Sequence, residues 1–173
     1  MMFYSDYNRT LFQTNSSLSP VLLRGIEPWQ YDKDQLWVSN RIPMHSWLVA
    51  RECFEKVGFF DENQAMLEDF EFLVRLSKEY NFYHVNRVTC EYRYYLDGMN
   101  SMINQREQTL EALKYIYTKH EAYNQNIENN RSFELEALKV QTEKIELLRD
   151  KMNDNPENNS KLTRQMTKLI LGF

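Results

Sequence analysis

The stretch from Arg41 to Arg75, RIPMHSWLVARECFEKVGFFDENQAMLEDFEFLVR, most constrains how this chain can fold. An apolar run (Met44, Trp47, Leu48, Val49) passes into a short amphipathic segment, and the spacing predicts a helix over Arg51 to Val57 with Cys53, Phe54 and Val57 on one face. Gly58 stops it. Phe59, Phe60 and Asp61 follow, then a turn rich in Asn and Gln, and then a second predicted helix opening on Glu68-Asp69-Phe70-Glu71. An acidic pair in a first helical turn lies at the positive end of the macrodipole, so both carboxylates are expected to be ionised near neutral pH. That makes Glu68 and Asp69 candidate bases. Helix-start acidity is also common in proteins of every function, so local physics leaves that plain reading open.

The order of these phrases closely resembles the acceptor half of family 2 inverting glycosyltransferases, enzymes of the GT-A fold. In that family a Gly-x-Phe-Asp-Glu turn precedes a Glu-Asp pair, and the pair opens a helix under the acceptor pocket. The matching positions are Gly58, Phe60, Asp61, Glu62, Glu68 and Asp69. The resemblance implies that Asp69 is the catalytic base, that Glu68 orients the acceptor or holds backbone, and that Asp61 and Glu62 fix the turn. Asn40 to Ser46 resembles the segment leading into the acceptor site, and Glu91-Tyr92-Arg93 resembles a closing Tyr-Arg strand. In all it runs from about Met1 to Met102. It implies transfer of a sugar from a nucleotide-sugar donor to a saccharide or other hydroxyl acceptor with inversion, as in polysaccharide biosynthesis.

The family phrase resembling Tyr4-Ser5-Asp6-Tyr7 follows the Asp-x-Asp metal motif, so the resemblance implies a partial domain: an α/β, α+β-leaning acceptor side over 1–104, lacking the N-terminal nucleotide-binding half. Asp6 has Tyr7 and Asn8 beside it, not a second carboxylate, so no metal ligands are assigned and Asp6 reads as a strand-end polar residue. A complete enzyme of this kind implies a divalent cation (Mn or Mg) and a nucleotide sugar. Neither is assigned to this chain.

Met1 to Tyr7 reads as a strand, Asn8 to Pro20 as a polar connection, and Tyr83 to Val85 and Thr89 to Tyr95 as two further strands. Alternation puts Glu91 and Arg93 opposite Tyr92 and Tyr94. Arg93 fits phosphate, an acidic network or a plain edge-strand position. Trp29, Trp37 and Trp47 fit either the core or a wall stacking on a pyranose ring, Trp47 being the best placed for sugar. His45, at the mouth of the acceptor segment, fits a hydrogen bond to a leaving diphosphate or a sugar hydroxyl, or a structural role. His84 and His120 have no carboxylate or cysteine at ligand spacing and read as structural.

From 105 to 173 the character is helical. Leu110, Leu113, Ile116, Tyr117 and His120 recur at helical spacing, 124–130 reads as a loop, and Phe133 to Met152 as an amphipathic docking helix. A break with Pro156 precedes a last helix with Leu162, Met166, Leu169 and Ile170 on one side and Lys161, Arg164 and Lys168 elsewhere. It fits packing on the preceding helices or a partner, or an anionic membrane surface. A helical tail of this kind suggests a second function class, a non-catalytic module docking a partner enzyme. Partners on the first reading are the saccharide acceptor and a separate donor-binding chain, or a second copy through the tail.

The 173 residues carry a net charge of −4 with interspersed signs, which gives no basic face for nucleic acid. Two cysteines far apart indicate neither a zinc site nor a disulfide framework and fit a reducing cytosol. With no apolar run long enough to span a bilayer, a cytoplasmic location, peripheral to a membrane at most, is expected.

Overall fold

The computed structural model describes residues 1–12, 20–25, 30–95, 105–154, 161–162, 165 and 168–169. It is a mixed α/β structure. Trp29, the Asp97-Gly98 turn, Asn100, Ser101, Pro156, Arg164, Met166 and Ile170 lie outside the described residues.

Strand β1 (Met2–Phe12) is the centre of a four-stranded sheet. Strand β4 (Phe82–Tyr95) runs parallel to it from Met2↔Phe82 to Phe12↔Tyr95. One edge of β1 is thereby filled. The other is shared, with β3 (Trp47–Val49) antiparallel to Met2–Tyr4 and β2 (Pro20–Gly25) antiparallel to Asn8–Phe12. β1 is therefore longer than its sequence suggested: Asn8 to Phe12, expected as polar connection, is held extended by strands on both sides. The two strands expected between Tyr83 and Tyr95 are one. Its extra residues, Asn86, Arg87 and Thr89, are absorbed as bulges opposite Asp6, where the register shifts twice.

Alternation buries Met2 and Tyr4 and turns Phe3 outward. Against the buried side lie α1 (Lys33–Leu36), capped by the Asp32 carboxylate, a 3-10 turn (Met44–Ser46), and α2 (Arg51–Val57). α2 ends as its sequence requires: Gly58 takes φ +83° and its amide donates to the Phe54 carbonyl at 2.9 Å.

Helix α3 (Glu68–Glu79) is buried on two sides. Phe72, Leu73 and Leu76 join Met2, Tyr4, Leu36, Ile42, Cys53 and Phe82 in the sheet core. Phe70 and Val74 join a second core with Trp37, Leu113, Ile116 and Ile127. Burying a side chain such as Phe72 contributes about 1.5–3 kcal/mol, so α3 is fixed by packing more than by its intrinsic propensity. Leu113 and Ile116 belong to α4 (Arg106–Lys119) and Ile127 to α5 (Gln125–Asp154). Residues on both sides of position 104 thus share one core. The segment 124–130, expected as a loop, is instead the start of α5. Asn124 accepts the Ile127 amide at 2.8 Å, so the asparagine that suggested a loop caps a helix.

Candidate functional site

Asp69 sits in the first turn of α3, half-buried. The residue before the helix, Leu67, is held at φ +59°, the described non-glycine residue in left-handed backbone, and its carbonyl accepts the Glu71 amide at 3.0 Å and the Gln64 side chain at 3.3 Å. Such backbone costs of order 1–2 kcal/mol in an L-residue. Here it turns the chain sharply from the Asp61–Gln64 turn into α3, and Asp69 meets Asn40.

That segment holds Asp69 through Asn40. The Asn40 amide donates to Asp69 Oδ2 at 3.0 Å while its carbonyl oxygen accepts the Ile42 amide at 2.8 Å, which fixes the amide's orientation. Asp69 Oδ1 accepts the Phe70 amide at 2.7 Å. The helix-start expectation meets a stronger effect here. Burial pushes the Asp69 carboxyl up to about 6, the Phe70 amide opposes it, and the neighbouring Glu68 charge adds to the rise. Asp69 is ionised at pH 7 yet close to holding a proton, the condition that suits a general base near neutrality.

Beside it runs a group of rings. His45, carried by the 3-10 turn, lies 5.5 Å from the ring of Tyr92 and 6.4 Å, edge-on, from Tyr7. Tyr7 and Tyr92 are 6.2 Å apart, and Tyr92 and Tyr94 4.9 Å. Burial raises the Tyr92 phenol and the Asp69 charge raises it further, so Tyr92 lies within the field of the carboxylate. Partial desolvation lowers the His45 pKa. Tyr7, His45 and Tyr92, from three distant parts of the chain, therefore form one ring cluster, and Tyr92 joins it to the field of Asp69. Tyr7 and Tyr92 as ring walls, and Asn40 as the clamp on Asp69, were not singled out by sequence reasoning. The Tyr-Arg phrase was the signal for Tyr92, and it pointed at its neighbour.

The other expected residues fall out unevenly. Glu68 is next to Asp69 and felt by it. Trp47 stacks on Phe72 at 5.7 Å and packs on the sheet core, with a buried indole N–H that has no hydrogen-bond partner among the described residues. Arg93 is not brought to Asp69: it alternates to the face opposite Tyr92, pairs with Glu91 at 2.5 Å and lies over the Phe12 ring. The edge-strand reading is the one that fits it. Trp37 is buried and donates its indole N–H to Ser77 Oγ at 2.8 Å, which makes it core.

The two histidines with no carboxylate at ligand spacing in the sequence pair with one from across the fold. His84 Nε2 is 2.7 Å from Asp6 Oδ1, and His120 Nε2 is 2.9 Å from Glu71 Oε1. Glu71, fully buried, also takes both oxygens' bonds from Arg75 Nε at 2.9 Å and one from Lys119 Nζ at 2.9 Å. Burial pushes it up, but His120, Lys119 and Arg75 outweigh burial and hold it down at about 2. Lys119 also reaches Asp61 at 2.6 Å, where Tyr115 donates at 2.9 Å, and the Asn63 amide at 3.0 Å fixes the turn as expected. With Lys119 first among them, these partners hold the Asp61 carboxyl far below the usual carboxylate range. α4 is thus bonded to the turn ahead of Asp69.

Among the described residues no three His, Cys, Asp or Glu side chains come together as a cation site, and Asp6 is spent on His84. Nor is any helix of the described residues long and apolar enough to cross a membrane. No protein-family model matches the sequence, and no curated protein matches it at a significant level.

Proposed function

We propose that the chain is the acceptor side of an inverting glycosyltransferase of GT-A type, in which Asp69 removes the proton from an acceptor hydroxyl. The single observation that carries this reading is the state of Asp69: clamped by Asn40, raised to about 6 by burial, and near enough to Tyr92 for its charge to raise that phenol. An acceptor hydroxyl becomes acidic only as its oxygen attacks the anomeric carbon, so the base must already be in hydrogen-bond reach. Both Asp69 oxygens accept one bond from the protein and keep lone pairs for a hydroxyl. The Tyr7, His45 and Tyr92 rings suit the apolar faces of a saccharide. Donor nucleotide sugar is bound by elements other than those described, on this polypeptide or another.

The test supplies the chain with a nucleotide-sugar-binding lobe, fused or in trans, and follows sugar transfer. Asp69→Asn is expected to lower kcat by about a hundredfold or more, with inverted anomeric configuration in the wild-type product. Undiminished transfer by Asp69→Asn removes the reading. A second reading, docking of a partner by the tail, is favoured by Phe133, Val140 and Leu147, which are 74%, 37% and 54% exposed at seven-residue intervals along α5. Glutamate at all three positions abolishing co-purification of a partner, with transfer intact, supports docking as a separate property of α5.

A further inference from the structure

Arg9 is a strand arginine whose surroundings ask for a ligand. It lies in β1 across the ladder from Tyr92 of β4 on one side and Arg24 of β2 on the other. The carboxylates nearest in the strands are taken elsewhere, Asp6 by His84 at 2.7 Å and Glu91 by Arg93 at 2.5 Å. No described carboxylate pairs with Arg9, and its Nε is shielded from solvent with no hydrogen-bond partner. A shielded guanidinium N–H without an acceptor costs free energy that an anion would recover.

The neighbours of Arg9 are hydroxyl donors. Tyr92 and Tyr94, 4.9 Å apart, both lie in the field of the guanidinium, which opposes the rise that burial imposes on each phenol. Tyr92 also lies within the field of Asp69, so it stands between the proposed base and Arg9.

We propose that Arg9, with Tyr92 and Tyr94, forms a subsite for a phosphate group of the substrate. Arginine offers paired N–H donors matched to phosphate oxygens, and phenols add O–H donors. The place of this group in catalysis rests on the glycosyl-transfer reading, whereas its binding does not. The phosphate has two sources: one carried by the acceptor, or the departing nucleoside diphosphate.

Isothermal titration of the full chain with inorganic phosphate, glucose 6-phosphate and UDP separates these. Saturable binding of at least one is expected, weakened about tenfold or more by Arg9→Gln, as loss of a charge-assisted hydrogen bond requires. Tighter glucose 6-phosphate assigns the acceptor; tighter UDP assigns the leaving group. Arg87→Gln, an exposed arginine on the β4 bulge, keeps wild-type affinity. If Arg9→Gln does not fold, Tyr92→Phe, which removes one O–H, carries the test with a loss of about threefold or more. No binding by the wild type, or unchanged affinity in a folded Arg9→Gln or Tyr92→Phe, overturns the subsite. Because this titration needs no turnover, it stands or falls separately from the role of Asp69 in transfer.

Discussion

Replacing Glu71 by Gln removes the charge that joins α3 to α4. Glu71 is completely buried and accepts from Arg75, Lys119 and His120. A fall in its pKa from the ordinary 4.5 to about 2 corresponds, at about 1.4 kcal/mol per tenfold, to a contribution of about 3 kcal/mol. Removing one partner of a buried ion pair typically costs about 3–5 kcal/mol. Arg75 and Lys119 side chains keep 18% and 32% of their surface exposed, so they can turn to water, and the lower end applies. In a chain of this length that lowers Tm by about 6–12 °C at pH 7. The pH dependence gives the sharper test. A carboxylate with a depressed folded pKa stabilises above its unfolded pKa and loses that contribution as pH falls through the folded value. The Tm gap between wild type and Glu71→Gln, followed by circular dichroism, is therefore expected to be full at pH 7 and to narrow between about pH 5 and pH 2. A gap below about 2 °C at pH 7, or one that does not change with acid, refutes the assignment of this cluster as the clamp.

Other outcomes follow from the same structure. Asp69 carries the opposite sign: its raised folded pKa means that stability is lost as pH rises from about 4 to about 6, a dependence that Asp69→Asn removes. A carbon-detected NMR titration of the carboxyl should show a midpoint near 6, and an ordinary value near 3.8 contradicts it. Gly58→Ala is expected to cost about 1 kcal/mol or more through backbone alone. The added Cβ meets only Arg75 Nη1, at an ordinary 3.5 Å, and denaturant unfolding measures the loss. Arg131, buried, donates to the Trp37 carbonyl at 2.9 Å and the His120 carbonyl at 2.6 Å. Arg131→Met is expected to cost about 3 kcal/mol in the same experiment, and a loss under about 1 kcal/mol contradicts that role.

What could be read in the sequence was local. Gly58 ended α2 and Glu68 opened α3 because capping and helix-start chemistry involve neighbours in the chain. What could not be read depended on distant partners. Asn8 to Phe12 is polar enough to pass for a connection, and only pairing with β2 and β4 makes it strand. His84 and His120 find Asp6 and Glu71 from 78 and 49 residues away. The dipole argument gave the charge of Asp69 at pH 7 but not the rise of its carboxyl to about 6, which comes from burial in the folded chain. Arg93 and Tyr92 show how one residue of offset in a strand exchanges a site residue for a surface one.

The most direct test follows kcat/KM for sugar transfer against pH in the chain supplied with its donor lobe. An acid limb with a midpoint near 6, set by the free carboxyl of Asp69, is expected, together with its disappearance and a drop of about a hundredfold or more in Asp69→Asn. A wild-type rate and an unaltered acid limb in that variant contradict the account.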